Sequence, residues 1–256
     1  MPVTKYVSTD SIKKLEKGYI NLYPFPFILI DNFLNENVIE NLISDTNKLN
    51  SEEADGKFIN SSNIYEYNKF AFTKNLGSSL EKIFDELVSD SFINYIEKCT
   101  GITGIIRNDK KLFGAGIHRI HKGGYLGIHT DFNIFYHEKY GFIDRRINLL
   151  IYLNKDWEES FKGELWLCDE QNLKICEKIL PIMNRCIIFN TTTKSLHGHP
   201  EVLSCPDNMY RQSIAVYYYT KNCSQDFNNL LDFEGATCHD TNFYDADQFK
   251  DCSSNI

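Results

Sequence analysis

The sequence predicts an all-β sandwich or barrel with helices laid over one face. Two observations carry this. From about residue 111 seven short apolar or alternating runs follow one another: "LFGAGIHRI", "YLGIHT", "INLLIYL", "GELWLC", "LKICEKIL", "RCIIFN" and "SIAVYYYT". Turn residues separate them, and strands at such spacing build sandwiches or barrels. The helical patterns all precede residue 110 and cluster in sequence, so they are expected on one side of the β core.

Taken in order, residues 24–34 ("PFPFILIDNFL") read as a short apolar strand followed by a turn at Asp31–Asn32. In "NENVIENLISDTNKLN", Val38, Ile39, Leu42 and Ile43 form a helical stripe behind a cap candidate, Asn35. Residues 52–77 mix polar and aromatic side chains and read as a long loop or lid. Residues 78–101 are the strongest helix, with serine cap candidates and a glycine stop. Ser89–Asp90 can split it, because both residues favour caps over helix interiors. The last stretch, 221–256, is rich in Asp, Asn and Ser and reads as a peripheral extension, ordered only if it docks.

A chain of 256 residues with 42% hydrophobic content supports one large core or at most two modest domains. An aromatic content of 14% excludes a disordered chain. The net charge of -8 disfavours nucleic acid as a partner, since phosphates repel an acidic surface, although a local basic groove stays open. The start lacks a secretory pattern and no apolar run is long enough to span a bilayer, so no membrane partner and a cytoplasmic location are expected. None of the eight cysteines forms a C-x-x-C pair. They fit a reducing compartment, with Cys168, Cys176 and Cys186 read as small core residues. Nothing in the sequence fixes the oligomeric state.

The chemistry centres on "GIHTDFN" (127–133). Side chains two apart on a strand share a face, so His129 and Asp131 aim at one point. "KSLHGHPEVL" offers a third ligand, His197 or His199. Two histidines and a carboxylate leave open metal positions and suit non-haem Fe(II) with O₂. Zinc hydrolases use similar sets, but their H-E-x-x-H helix is absent. Separate polar surface residues are the plain alternative. In "YRQSIAVYYYT", Arg211, Ser213, Ala215 and Tyr217 share a face. An arginine aimed into a barrel needs an anion, and its own strand holds no acid. A dicarboxylate ligand would fill that need with a bidentate fork, Ser213 adding a hydroxyl. Otherwise Arg211 lies on the solvent side of an edge strand.

"HTD", "RRINLLIYLNKDW", "GELWL", "SLHGHP" and "RQSIAVYYYT", in that order, resemble the Fe(II)/2-oxoglutarate-dependent dioxygenases in their prolyl 4-hydroxylase-like branch. The resemblance covers roughly residues 111–220 and, more loosely, the strand and helix near the amino end. It implies an α+β, mostly β fold: a double-stranded β-helix (jelly-roll, cupin-like) core with the amino-terminal helices packed on one face. It implies one dioxygenase domain over 1–220, helical and lid-rich to 110 and barrel from 111, with 221–256 as an extension. It implies Fe(II) on His129, Asp131 and His197, with His199 the alternative distal ligand. Arg211 would clamp the far carboxylate of the cosubstrate 2-oxoglutarate, with Tyr152, Ser213 and Asn148 as further contacts. Asn148 and Leu150 share Tyr152's face by alternation. At the place of the family's tyrosine before H-x-D stand His121 and Tyr125, which leaves the chelating end open.

The resemblance further implies an enzyme that uses O₂ to hydroxylate an aliphatic C–H, releasing succinate and CO₂. Asp131 disfavours halogenation, because halogenating relatives lack the carboxylate. The absence of a second arginine after Arg211 disfavours nucleic-acid demethylation. The substrate is expected to be a prolyl or similar residue of a peptide or protein, the alternative being a small-molecule or sugar-containing metabolite. Arg145, Tyr125, Tyr217 and His121 are the candidate substrate contacts. The insert at 132–146 reads as an aromatic border of the active-site mouth or as a loop packed on the barrel.

Overall fold

A computed structural model describes residues 4–59, 65–109, 115–221 and 241–251. Four helices, α1 (Thr9–Leu15), α2 (Glu36–Asn47), α3 (Ser78–Leu87) and α4 (Asp90–Thr100), belong to the amino-terminal half. The strands are β1 (Phe27–Ile30), β2 (Gly56–Phe58), β3 (Glu66–Phe72), β4 (Gly116–Thr130), β5 (Ile134–His137), β6 (Gly141–Tyr152) and β7 (Leu165–Asp169). They continue with β8 (Lys174–Ile179), β9 (Cys186–Asn190), β10 (Leu196–His199), β11 (Arg211–Lys221), β12 (Asn242–Tyr244) and β13 (Lys250–Asp251). The main order is β1-β9-β6-β11-β4-β10-β7-β8-β13. The sheet curls into the half-barrel of a jelly roll, so the mostly β fold class is as expected.

Side-chain alternation divides each strand between two environments. On β6, Ile147, Leu149 and Ile151 face the helices and join a core with Leu42, Leu80, Ile83 and Phe92. The intervening Leu150 and Tyr152 turn into the barrel, against Leu165, Leu167, Ile187 and Phe189. Leu42 and Leu80 are wholly buried, each worth roughly 1.5–3 kcal/mol of transfer free energy. Ser89 caps α4 through Phe92 N–H and Gly101 closes it in the left-handed region, so the helix splits where its sequence indicates. Asn35 precedes α2 but its amide donates to Lys5 O rather than capping.

The serines expected to cap α3 do not. Its cap position is Gly77, and the Asp45 carboxylate from α2 accepts from Ser79 N–H (2.8 Å) and Leu80 N–H (3.3 Å) instead. Any Cβ at Gly77 would lie 2.5 Å from that carboxylate. Arg119 supplies the complementary tie, donating to Thr46 O (2.6 Å) and Leu49 O (2.8 Å) at the end of α2.

Three loop or strand readings are corrected. Residues 52–77 are not a free lid: β2 and β3 pair with each other, and β3 lies along β4; residues 60–64 lie outside the described residues. The insert at 132–146 is a hairpin, with β5 antiparallel to the start of β6. "GIHRI" and "YLGIHT" are one strand, β4, bent by residues that loop out of register with β3 between Ile120 and Tyr125. Gly123 sits at φ 80°, and a Cβ at Gly124 would lie 2.7 Å from Tyr67 O, so the bend depends on the glycine pair. The start of that run, 112–114, lies outside the described residues.

The carboxy-terminal segment docks. β12 pairs with the end of β4, placing Phe243 opposite His129, and β13 runs parallel to β8. Phe249 packs with Ile128, Trp166 and Leu196 on the outside of the barrel. Residues 222–240 and 252–256, with Cys223, Cys238 and Cys252, lie outside the described residues. Cys168 and Cys186 are buried as expected of core thiols, whereas Cys176 is half-buried. Among the described residues no helix is long and apolar enough to cross a membrane.

Candidate active site

β4 ends on His129 and Thr130, and β10 runs beside it with His197 directly opposite His129. The two imidazoles stand 4.5 Å apart, and ligand atoms of His129, Asp131 and His197 all lie within 4.8 Å of one another. All three are buried. His129 Nδ1 sits 2.9 Å from Gly127 O and His197 Nδ1 2.9 Å from Ser195 O. A carbonyl only accepts, so each Nδ1 carries the proton and each Nε2 keeps its lone pair. Both Nε2 atoms face Asp131, at 3.6 and 3.4 Å. Two neutral imidazoles and one carboxylate, oriented by their outer hydrogen bonds, fit a divalent metal with open positions. Burial pushes the His197 imidazole down to about 4, which keeps it in the ligating form.

The carboxylate is held from behind. Asn148 Nδ2 donates to Asp131 Oδ2 (2.7 Å), and Arg145 Nη2 reaches the same oxygen at 2.9 Å. Arg145 Nε donates to Asn148 Oδ1 (3.0 Å), and Thr191 Oγ1 lies 3.3 Å from it. The guanidinium lies 3.6 Å from the centre of the Tyr217 ring. Burial alone would raise the Asp131 carboxyl; the Arg145 charge, then the two histidines, override it and hold it well below the usual carboxylate range.

Arg145 and Asn148 are three apart on β6, yet meet on one face. β6 has one residue more than β11 between Ile147 and Arg145, and this bulge turns Arg145 inward.

The other end of the interior is built differently. Arg211 is buried, donates to Gly163 O (2.7 Å) and lies 3.4 Å from the Tyr152 hydroxyl. Among the described residues no carboxylate lies within ion-pair distance of it. Burial lowers its pKa, as expected of a cation out of water. Ser213, also buried, pairs across the sheet with Tyr152. The fork is thus ready for a carboxylate.

The remaining predicted residues fall around these two ends. Asn148, read as a cosubstrate contact, spends its amide on Asp131, Arg145 and Thr191. Tyr217 is buried over Arg145, and Tyr125 is half-buried against Tyr67. His121 is bonded to Ser51 (2.8 Å) and flanked by Phe70 and Tyr210, none of them a predicted site residue. Sequence reasoning missed Thr191, which carried no motif. It also missed Phe243, whose ring lies 5.5 Å from His129 and stacks on Tyr65 at 4.8 Å. No sequence signal placed this carboxy-terminal ring at the metal end.

Residues 115–219 match the model of the 2OG-Fe(II) oxygenase superfamily. No curated protein sequence matches the chain. Among solved structures, the fold is similar to a Trichoplax adhaerens prolyl hydroxylase in complex with a hypoxia inducible factor oxygen degradation domain peptide fragment. The TM-score is 0.58 and the identity 20%, over 84% of this chain and 94% of that one. A Pseudomonas putida prolyl-4-hydroxylase is similar at TM-score 0.55 and 13% identity, over 81% and 99%. The barrel thus carries the match to the 2OG-Fe(II) oxygenase superfamily, and its fold is similar to that of the prolyl hydroxylases. The protein is an Fe(II)- and 2-oxoglutarate-dependent dioxygenase.

Proposed function

We propose that the protein hydroxylates an aliphatic C–H of a prolyl or similar residue in a peptide or protein. The observation that carries this is the juxtaposition of a buried His129–Asp131–His197 set with a buried Arg211 that has no ion pair among the described residues, in one barrel. In this reading His129, Asp131 and His197 hold Fe(II). Arg211, Tyr152 and Ser213 hold the far carboxylate of 2-oxoglutarate. With both bound, the chemistry supplied is oxidative decarboxylation of 2-oxoglutarate to succinate and CO₂, coupled to insertion of the other oxygen atom of O₂ into the C–H bond. The chain's own part is orientation and exclusion of water. Arg145 and Asn148 fix the carboxylate, Gly127 and Ser195 fix the imidazoles, and Phe189 packs on His197. The presence of Asp131 favours hydroxylation over halogenation.

For the peptide substrate, support comes from the fold likeness to a prolyl hydroxylase in complex with a peptide fragment. Aromatic rings around the metal end agree with an extended substrate: Tyr65, Phe132, Tyr217 and Phe243. Residues 1–220 form the dioxygenase unit on this reading, and 221–256 an extension whose docked part adds Phe243 to the rim. The alternative substrate is a small-molecule or sugar-containing metabolite.

The test incubates the protein with Fe(II), 2-oxoglutarate and proline-rich peptides, and reads succinate and the peptide mass. Gain of one oxygen on proline, lost in His129→Ala and Asp131→Ala, is expected. Full turnover in either variant removes the metal assignment. Succinate coupled only to metabolites removes the peptide assignment.

A further inference from the structure

One buried polar side chain in the barrel is used by nothing above. His199 is 2% exposed, and among the described residues neither its Nδ1 nor its Nε2 has a hydrogen-bond partner. It lies two residues beyond His197 on β10, so it shares the inward face, while Leu196 packs on the outer side. The spacing residue, Gly198, brings the strands into close contact: a Cβ there would lie 2.4 Å from Gly127 O. β4 carries an extra residue opposite this point, between His129 and Leu126. The local backbone is thus built around H-G-H.

An orphaned imidazole in a core is costly, because water's hydrogen bonds are given up for nothing. Leucine or valine would fill the place without that cost. The charged side chains that reach His199 are Arg211 and Lys69, both basic. Lys69 is paired with Glu66 at 3.4 Å, whereas Arg211 has no ion pair among the described residues. An imidazole carries at least one N–H in either protonation state, so the ring has a donor to give. A buried N–H donor on the same side of the barrel as a guanidinium with no ion pair among the described residues calls for an anionic, multi-oxygen acceptor.

We propose that His199 is a 2-oxoglutarate-binding residue, its ring N–H donating to a carboxylate oxygen that Arg211 also holds. This rests on the assignment of the Arg211 end as the cosubstrate pocket, and the experiment separates the two. 2-Oxoglutarate is titrated calorimetrically into the full-length, Mn(II)-loaded protein without oxygen. His199→Leu should weaken binding roughly ten- to a hundredfold, the effect of losing a hydrogen bond to a charged group, with Mn(II) affinity unchanged. His199→Asn, which restores an N–H, should recover most of the loss. In the ligand-free protein His199→Leu should unfold at the same or higher urea, since an orphaned polar group has been removed.

Leu and wild-type proteins within twofold of each other, with Arg211→Met impaired, would overturn the role of His199 and leave the pocket standing. Wild-type protein that does not bind 2-oxoglutarate overturns both. Should His199→Leu not fold, ¹⁵N-histidine spectra of the Zn(II)-loaded wild-type protein decide. Addition of 2-oxoglutarate is expected to shift the His199 ring N–H, and an unmoved resonance overturns the proposal.

Discussion

The two ends of the barrel interior hold the same kinds of groups in opposite states. At the metal end every charge is matched: Arg145 on Asp131 at 2.9 Å, Asn148 on the same oxygen, each histidine on a carbonyl. At the far end Arg211 has a carbonyl and a long contact to a phenol, and the His199 ring has no hydrogen bond among the described residues. Both arginines are buried to a similar degree, so exposure does not distinguish them. Partnership does. The first end is set in place by the fold, while the second retains unmet polar capacity that only a ligand can use. A site of this kind trades stability for binding at one end and not at the other.

The largest expected effect breaks the matched end. Arg145→Met leaves a buried carboxylate without its cation, a change that costs about 3–5 kcal/mol in comparable pairs. Urea unfolding of the metal-free protein should show a loss of that size, and excess Mn(II) should restore part of it, because the metal supplies the missing positive charge. A loss below about 1 kcal/mol would mean that Asp131 is held by Asn148 and the histidines alone.

The same substitution at the other end should behave differently. Arg211→Met removes a cation with no acidic partner among the described residues, so stability should fall by no more than about 1.5–3 kcal/mol, the worth of a charged group's bond, here that to Gly163 O. The 2-oxoglutarate requirement should instead rise at least about tenfold, as the bidentate fork is lost. If Arg211→Met destabilises as much as Arg145→Met, the contrast between the ends is wrong.

Much of this contrast is legible in the sequence. H-x-D on a strand, a later histidine, and an arginine two residues from a serine are period-2 statements, and strand geometry honours them. Three features were not legible. Arg145 meets Asn148 only because β6 bulges at Arg146, and a bulge leaves no mark in alternation. Asp45 caps α3 from another helix, a contact 34 residues away that no local cap pattern encodes. Phe243 reaches His129 through a polar segment whose composition reads as a tail. Local periodicity determines faces; bulges, distant caps and docked termini determine which faces meet.

The smallest expected effect sharpens the comparison by moving the same ion pair to the surface. Arg185 grips Asp31 with two bonds, Nε–Oδ1 at 2.6 Å and Nη2–Oδ2 at 3.0 Å, a better fork than Arg145 makes with Asp131. The Asp31 side chain is half exposed, and solvent screens the pair. The hydrogen bond from Arg185 lowers the Asp31 pKa. A lowered folded-state value gives stability that is present above the unfolded value of about 3.9 and lost as pH falls through the folded one. Asp31→Asn should therefore cost less than about 1 kcal/mol near pH 7. The two proteins should converge in urea midpoint as the pH falls well below 3.9. A neutral-pH loss rivalling that of Arg145→Met would show that geometry, rather than burial and partnership, sets what these arginines contribute.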